Sequence, residues 1–313
     1  MSPLVACLEF ALGGVLLLAG AEGLVRGGTA LALRFQITPL VIGMTVVAFG
    51  TSAPELGVSV DAALGGDSDV ALGNVVGSNV CNIGLILGVC ALIRPLHVHQ
   101  RLIRLDLPLL VLVSLALVWL LADGRVSRPE AGLLLVGLVA HTGFSLVEGR
   151  RAGADGEFAE GLQSGTFGCP AVVLVALGLG ALLVGADLFV ASASSLARLF
   201  GVPESAIALT LVALGTSLPE LATSALAAMR GNADIAVGNI VGSNLFNILG
   251  VLGLSAVVSP LDAGGLGQLD LWVMLGFAIV LLPLLRTRLR LERWEGATLL
   301  AAYLGYSAFL LGG

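Results

Sequence analysis

The chain is 313 residues long, 57% hydrophobic and only 12% charged, with a mean hydropathy of +1.03. This composition excludes a water-soluble globular protein of such length, because a soluble domain of this size carries more polar residues. The formal net charge is −6 and no basic stripe runs along the sequence, so nucleic acid is not expected as a partner.

Ten apolar stretches of roughly 20 residues are predicted to cross a bilayer as helices. At 1.5 Å rise per residue, a helix of that length spans a hydrocarbon core about 30 Å thick. In chain order, the predicted spans are residues 4–24, 37–64, 69–93, 105–122, 131–148, 168–190, 204–228, 233–258, 270–285 and 296–312.

All 15 basic residues are arginines, and their distribution predicts the orientation of the spans. With the N-terminus outside, only Arg125, Arg128 and Arg198 fall outside and the other twelve fall in inner loops. Because positive residues collect in cytoplasmic loops, we expect a multi-pass protein of the cell membrane with both termini outside. The first residues lack the basic region of a cleaved signal peptide, so the first span is expected to remain.

An internal repeat covers the second and third predicted spans. Residues 37–87 recur 165 positions later as residues 202–252, with 25 of 51 aligned residues identical. The same polar residues return at the same spacing in both copies. They are Thr51, Ser52, Glu55, Ser78 and Asn82 in the first copy, and Thr216, Ser217, Glu220, Ser243 and Asn247 in the second.

The repeat also predicts the domain organisation. Five spans per copy is an odd number, so the second copy must enter the membrane from the opposite side. We therefore expect an all-α membrane protein whose ten transmembrane helices form two inverted five-helix repeats, at residues 1–149 and 167–313. Residues 150–166 are hydrophilic and too few to fold alone, which predicts a cytoplasmic linker.

Two acidic residues, Glu55 and Glu220, fall near the middle of apolar spans. An acidic side chain at that depth costs about 2.5–3.5 kcal/mol on insertion scales. No arginine lies within these spans to neutralise it, so a bound metal ion or a proton is the expected compensation.

The residues around the acids favour a metal ion of the calcium, sodium or magnesium type. Hydroxyl, amide and carboxylate oxygens are hard ligands, and the sequence offers no sulfur or imidazole set for zinc or copper. Pro54 and Pro219 lack the N–H that would bond the carbonyls of Gly50 and Gly215. A helix broken in this way at membrane depth can bind an ion with its backbone.

Structural explanations compete with an ion site. A single GTSxPE motif fits a kinked helix, and a single GNxxGSN motif fits close helix packing. The interval from Glu to the last Asn is nevertheless 27 residues in both copies, which favours an ion site. Among weaker candidates, Asp69 and Asp234 are expected to be helix N-caps. Glu22 and Asp187, equivalent residues of Gly-Ala-Glu and Gly-Ala-Asp, are expected to have structural roles.

An enzyme is not expected. Ser52 or Ser217 would need a histidine within hydrogen-bond reach to act as a nucleophile. His141 is the only histidine within a predicted span, and the other copy has no equivalent. No cofactor is expected either.

GTSAPE with GNVVGSN, and GTSLPE with GNIVGSN, resemble the two alpha repeats of the cation/calcium antiporter superfamily. The resemblance is to its sodium/calcium exchanger branch of prokaryotic type, and it covers nearly the entire chain. It implies ten spans in inverted repeats, calcium extrusion driven by sodium, and alternating access by sliding of the first and sixth spans. The motif of the proton-coupled branch fits less well.

The same resemblance implies a set of ion ligands, with Glu55 and Glu220 shared by calcium and sodium. The implied calcium shell adds the carbonyls of Thr51 and Thr216. The residues implied for sodium and for the remaining central positions are Ala48, Ala213, Ser52, Ser217, Ser78, Ser243, Asn82 and Asn247. Several relatives, including potassium-dependent ones, have Asp where this chain has Asn247, so potassium dependence is not expected.

We therefore expect an antiporter that exchanges calcium for sodium by alternating access at one midplane site. A calcium/proton antiporter and a passive cation channel remain as alternatives, although a channel needs no inverted duplication. Magnesium fits less well, because it sheds its water reluctantly. The expected partners are the two ions and the lipid bilayer, without an obligatory protein partner.

Overall fold

The computed structural model describes residues 3–154, 170–203, 207 and 213–312. Most of the predicted linker, and the first part of the predicted span 204–228, lie outside these residues. Within the described ranges the fold is all-helical apart from short loops and four two-residue strands.

The helices follow the chain order of the predicted spans. They are α1 (Pro3–Phe35), α2 (Pro39–Ile42), α3 (Ala48–Thr51), α4 (Ala53–Gly65), α5 (Ser68–Cys81), α6 (Gly88–Ile93), α7 (Leu107–Leu120), α8 (Arg128–Ala154), α9 (Ala171–Leu199), α10 (Ala213–Gly215), α11 (Leu218–Met229), α12 (Ala233–Phe246), α13 (Leu252–Val258), α14 (Gln268–Arg286) and α15 (Arg293–Gly312). Wider π-helical turns occupy Gly43–Val47, Asn82–Leu87, Leu102–Asp106 and Asn247–Val251, and a 3-10 turn occupies Leu121–Asp123.

Seven helices of the described residues are long and apolar enough to cross a membrane, and the bent segment from α2 to α4 makes eight. The prediction of an all-α membrane protein is therefore confirmed, whereas the number ten stays a prediction. The seven are Pro3–Phe35, Ser68–Ile93, Leu102–Asp123, Arg128–Ala152, Ala171–Leu199, Ala233–Val258 and Gln268–Arg286.

Helix α1 continues well beyond the end of its predicted span. It ends at Phe35, where Gln36 takes a left-handed backbone conformation with φ 53°. Thr38 then caps α2, which starts with a proline. Arg26 and Arg34 therefore belong to α1. An arginine near the end of a membrane helix is not costly, because its long side chain can extend its charged group to water.

Two spans form the centre of the fold. The span Ala233–Val258 is 89% buried and Ser68–Ile93 is 72% buried, whereas the other spans are only 22–39% buried. Both central spans carry the repeated GNxxGSN motif. The outer helices turn leucine and valine side chains outward, as expected for a protein surrounded by lipid.

Helices α1 and α9 pack against each other in antiparallel directions through glycines. A Cβ atom on Gly20 would lie 2.7 Å from the carbonyl oxygen of Gly178, and one on Gly185 would lie 2.8 Å from the amide nitrogen of Leu17. Such contacts bring the two backbones together, as small residues do in membrane helix pairs.

The strands join the two copies of the repeat. β1 (Leu96–His97) pairs antiparallel with β4 (Arg290–Leu291), and β2 (Arg125–Val126) pairs antiparallel with β3 (Leu261–Asp262). The offset of 165 residues relates β1 to β3 and β2 to β4. Each small sheet therefore pairs a strand from one copy with a strand from the other.

The prediction that Asp69 and Asp234 cap helices was wrong. The cap positions of α5 and α12 are Asp67 and Asn232, two residues earlier, and the predicted residues lie in the first turn. Asp69 accepts a hydrogen bond from the backbone N–H of Gly265 at 2.9 Å. A carboxylate in the first helical turn is favourable, because it faces the positive end of the helix dipole.

Candidate ion-binding site

Both copies of the GTSxPE motif interrupt a helix at the same residue. The segments Pro39–Thr51 and Ala53–Gly65 meet at an angle of 47°. Ser52 lies at the break with φ −84° and ψ 11°, and Ser217 has nearly the same angles, −87° and 4°. The proline two residues later cannot donate a backbone hydrogen bond, which explains why the helix breaks here. The predicted broken helices are therefore present.

The breaks bring Glu55 and Glu220 into the interior. Each is in the first turn of its helix, α4 or α11, and their exposed fractions are 1% and 0%. The two carboxylates are close enough for their charges to interact. Ser217 Oγ donates a hydrogen bond to Glu55 Oε1 at 3.1 Å, and Ser52 Oγ donates one to Glu220 Oε1 at 2.8 Å. Each copy thus supplies the serine for the other copy's acid.

Four buried oxygens at this centre have no hydrogen-bond partner among the described residues. They are Oε2 of Glu55 and Glu220 and Oδ1 of Asn82 and Asn247. All four can only accept hydrogen bonds while the acids are ionised, and they come in equivalent pairs from the two copies. A buried acceptor without a partner is costly, and more so when it is charged.

The two asparagines use their amide groups within the protein. Asn82 Nδ2 donates to Asn244 Oδ1 at 2.9 Å, and Asn247 Nδ2 donates to Ser78 Oγ at 3.0 Å. Their oxygen atoms are thereby left as acceptors. Each asparagine also starts a π-helical turn, a feature that often marks functional sites.

The other hydroxyl side chains of the repeated motifs differ in how close they lie to the two carboxylates. Ser243 Oγ lies 3.5 Å from Glu220 Oε1, at the limit of a hydrogen bond. The Thr216 side chain lies beside Glu55, and the Thr51 side chain lies beside Glu220. Ser78 Oγ donates to the carbonyl of Asn74 at 2.7 Å.

The family resemblance implies that backbone carbonyls of Ala48, Ala213, Thr51 and Thr216 bind ions. The hydrogen bonds at these residues differ from one to the next. The carbonyl of Ala48 accepts the N–H of Ser52 at 3.0 Å and the hydroxyl of Thr51 at 3.4 Å. The Thr51 hydroxyl lies 3.1 Å from Asn239 Oδ1. Ala213 begins α10 directly after residues outside the described ranges.

Sequence reasoning missed a second pair of asparagines and a pair of serines. Asn74 Nδ2 donates to Ser59 Oγ at 2.8 Å and to the backbone carbonyl of Glu55 at 3.0 Å. Asn239 Nδ2 donates to Ser224 Oγ at 2.9 Å. All four residues recur at the offset of 165, so the repeat carried the signal. They hold the broken helix against the central span.

A cavity of about 500 Å³ lies beside the centre. Pro54, Thr216 and Asp187 line it, and the first two are neighbours of Glu55 and Ser217 in the sequence. Within the described ranges, no group of three or more His, Cys, Asp or Glu residues could hold a metal ion. The centre therefore combines two carboxylates with neutral oxygens, which suits a hard cation.

The duplicated geometry agrees with comparisons to known proteins. The family model described as sodium/calcium exchanger protein matches residues 5–147 and again residues 170–312. The chain belongs to the sodium/calcium exchanger family. The predicted family resemblance is therefore confirmed.

Similar exchangers and structures cover the chain almost completely. The protein CaxA of Alkalimonas amylolytica is 41% identical over 317 residues, which is 98% of this chain and 99% of CaxA. The sodium/calcium exchanger MaX1 of Methanosarcina acetivorans is 32% identical over 351 residues, or 96% of each chain. A solved structure of the sodium-calcium exchanger NCX_Mj has a TM-score of 0.85 and 31% identity, and covers 99% of this chain and 100% of its own. This chain is thus a multi-pass membrane protein and a cation/calcium antiporter.

Proposed function

We propose that the protein exchanges calcium for sodium at one site, in which Glu55 and Glu220 are shared by both ions. The observation that carries this proposal is the set of four buried oxygens, contributed equally by the two copies, that have no hydrogen-bond partner in the described part of the chain. Two carboxylates neutralise one calcium ion or two sodium ions, so the two cargoes compete for the same charge. A relative, MaX1, is named as a sodium/calcium exchanger, which supports this assignment.

The remaining ligands are assigned by the same logic. Serine hydroxyls that donate to a carboxylate keep lone pairs that a small cation can use. In this proposal the carbonyls of Thr51 and Thr216 complete the calcium shell. Sodium uses the carbonyls of Ala48 and Ala213 and the hydroxyls of Ser52, Ser217, Ser78 and Ser243, and Asn82 and Asn247 occupy the remaining central positions.

Charge balance gives the exchange mechanism. Without a bound cation the site holds uncompensated charge at membrane depth. The conformational change that exposes the site to the other side of the membrane is therefore unfavourable until cations fill it. Alternating access of the filled site then produces obligatory exchange. A third sodium ion would carry one net charge per cycle and make exchange sensitive to voltage.

A calcium/proton antiporter is the second candidate. Two protons would neutralise the same two carboxylates as two sodium ions. Charge balance therefore does not distinguish proton coupling from sodium coupling. A passive channel is the third, and it is distinguished by a flux that ignores any counter-ion gradient.

Calcium uptake into proteoliposomes tests these alternatives. Vesicles loaded with sodium are diluted into sodium-free medium with labelled calcium, beside vesicles that hold only a pH gradient. Sodium-dependent uptake is expected. Uptake driven by the pH gradient alone would favour proton coupling, and uptake without either gradient would favour a channel.

Neutralising either acid tests the site itself. Glu55→Gln and Glu220→Gln each remove a charge that the bound ion needs, so calcium uptake should fall to background. Asp61→Asn is the matched control, because Asp61 is exposed on the same helix as Glu55. Full activity in either glutamine variant would refute the assignment.

We also propose the complete topology. It has ten transmembrane helices in two inverted five-helix repeats, residues 1–149 and 167–313, with a cytoplasmic linker at 150–166 and both termini outside the cell membrane. The separate family matches to 5–147 and 170–312 support this division. The two small sheets, each with one strand per copy, support a pseudo-two-fold relation between the repeats.

A further inference from the structure

One position of the repeat carries an acid in both copies but has opposite surroundings. Glu22 lies on α1 and Asp187 on α9, and these helices pack antiparallel with Gly20 against Gly178. In that register Glu22 is level with Gly178, nine residues from Asp187. The two acids are therefore about 13 Å apart along the helix pair.

The two acids lie at opposite ends of α11, the helix that carries Glu220. Asp187 lines the cavity together with Thr216, two residues before α11 begins. Glu22 contacts Arg230, the residue directly after α11 ends. Two separate routes to the site would pass these two positions.

The route at Asp187 is open. Asp187 is exposed, and the described residues that line its cavity of about 500 Å³ include no arginine. Val58 on α4 lies on this cavity and is 40% exposed. Helix α9 makes few contacts with α4, so the cavity separates them.

The equivalent route at Glu22 is closed. The offset of 165 residues relates Val58, Ala186 and Val190 of the cavity to Thr223, Ala21 and Val25. These three equivalents are buried, with exposed fractions of 0%, 0% and 2%, because α1 packs along α11.

Two arginines contact the acid on the closed side. Arg230 Nη2 donates to Glu22 Oε1 at 2.8 Å, and Arg26 forms an ion pair with the same carboxylate from one turn further along α1. The equivalent positions in the other copy are Gly65 and Ala191, which cannot form such pairs.

We propose that the Glu22–Arg230 ion pair is a latch that holds the closed route shut while the route past Asp187 is open. The proposal rests on the exchange function proposed above, because exchange requires both routes in turn. The ion pair joins α1 to the end of α11, and opening this route separates the same two helices, as α9 and α4 are separated on the other side. The pair must therefore break when the routes exchange.

The strength of the pair suits a latch. The Glu22 and Arg230 side chains are 23% and 55% exposed, and ion pairs at such exposure favour one state by about fivefold at most. That bias shifts the populations of the two states without preventing their exchange.

Cysteine labelling at Thr223 tests the latch directly. In a background without the four native cysteines, Thr223→Cys reports the closed route and Val58→Cys the open one, in lipid nanodiscs with a polar thiol reagent. Arg230→Gln should raise the labelling rate at Thr223→Cys by about two- to fivefold. Labelling at Val58→Cys should hardly change, because the open state remains the major one.

Arg26→Gln is the matched control. It removes the same charge from the same acid, but Arg26 lies on α1 with Glu22 and cannot join two helices, so labelling at Thr223→Cys should stay at the wild-type rate. Unchanged labelling in Arg230→Gln, or an equal rise in Arg26→Gln, would overturn the latch.

A charge-reversed pair separates the latch from misfolding. In an Arg26→Gln background, which removes the other partner of residue 22, Glu22→Arg with Arg230→Glu restores the contact, and labelling at Thr223→Cys should return to the wild-type rate. A rate that stays raised in this variant would also overturn the latch. Labelling needs no ion exchange, so failure of calcium uptake alone would contradict the exchange proposal and leave the latch result intact.

Discussion

At Glu55 and Glu220, burial and charge oppose each other. Each carboxylate accepts a hydrogen bond from the serine of the other copy and leaves its second oxygen unpartnered among the described residues. The protein therefore keeps an unfavourable arrangement at its centre that a bound cation relieves. Strain and unsatisfied groups of this kind are typical of functional sites.

The cost of the empty site gives a stability prediction. Because Glu220→Gln removes a buried negative charge beside another, we expect the ion-free variant to be more stable than wild type by about 1–3 kcal/mol. Calcium at about 100 times its Kd should add about 2.7 kcal/mol to wild type but not to the variant. Melting temperatures with and without calcium measure both effects. A calcium-induced rise of normal size in Glu220→Gln would contradict the shared site.

The exposed carboxylate of Asp187 gives a kinetic prediction. A negative charge on the wall of a cavity raises the local cation concentration, so Asp187→Asn should slow calcium binding by about two- to tenfold at low salt. The effect should vanish near 1 M salt, where the Debye length is about 3 Å and the charge of Asp187 is screened from an approaching ion. Stopped-flow binding measures it, with Asp187→Glu as the charge-preserving control. A slowing that persists at high salt would point to a structural role.

At the scale of elements, broken and widened helices shape the site. The GTSxPE break turns the start of α4 and α11 inward, and the π-helical turns at Asn82 and Asn247 face that centre from the two most buried spans. Around this core, α1 and α9 pack closely through glycines. The breaks depend on prolines, which remove a backbone hydrogen bond, and the close packing depends on glycines, which lack a side chain.

The glycine contact predicts a difference between two neighbouring positions on α9. A Cβ on Gly178 would lie 2.7 Å from the backbone nitrogen of Leu24, whereas one on Gly180 would have nothing within 4 Å. Gly178→Ala should therefore lower the free energy of unfolding by about 1–3 kcal/mol. Gly180→Ala should be neutral or slightly stabilising. Thermal unfolding of the two variants compares them, and equal melting temperatures would contradict the close packing.

At the scale of the whole molecule, duplication produces one centre from two halves. The hydrogen bonds between Ser52 and Glu220, and between Ser217 and Glu55, cross from one copy to the other. Neither copy can complete the centre alone. The same halves differ in packing, because described residues beside α9 line a cavity whereas their equivalents beside α1 are buried.

A shared centre predicts competition between the cargoes. If two sodium ions replace one calcium ion on the same carboxylates, the apparent calcium Kd should rise roughly with the square of the sodium concentration. Calcium titrations of the purified protein at several sodium concentrations measure this dependence. A calcium Kd that ignores sodium would mean that the two ions occupy separate sites.

Much of the fold and the site could be predicted from local properties of the chain. Hydropathy predicted the membrane helices, since each span satisfies its own backbone hydrogen bonds. The spacing of the repeated motifs predicted Glu55 and Glu220 as buried partners. Asn74 and Asn239 were missed, because the sequence does not distinguish a repeated asparagine that binds an ion from one that holds two helices together. Asp69 was misread, because cap positions depend on where the preceding loop ends.

The amino-acid sequence by itself determined the membrane class, the duplication and the oxygen chemistry of the site, because composition and spacing are local and survive any packing. Only the tertiary structure decided which serine meets which acid, since those pairs are 162 and 168 residues apart. It also decided which oxygens lack a partner among the described residues, and that a cavity lies beside α9 while the equivalent residues beside α1 are buried. The two copies of the repeat differ there because the exposure of a residue depends on how helices pack against one another, and each copy has different neighbours.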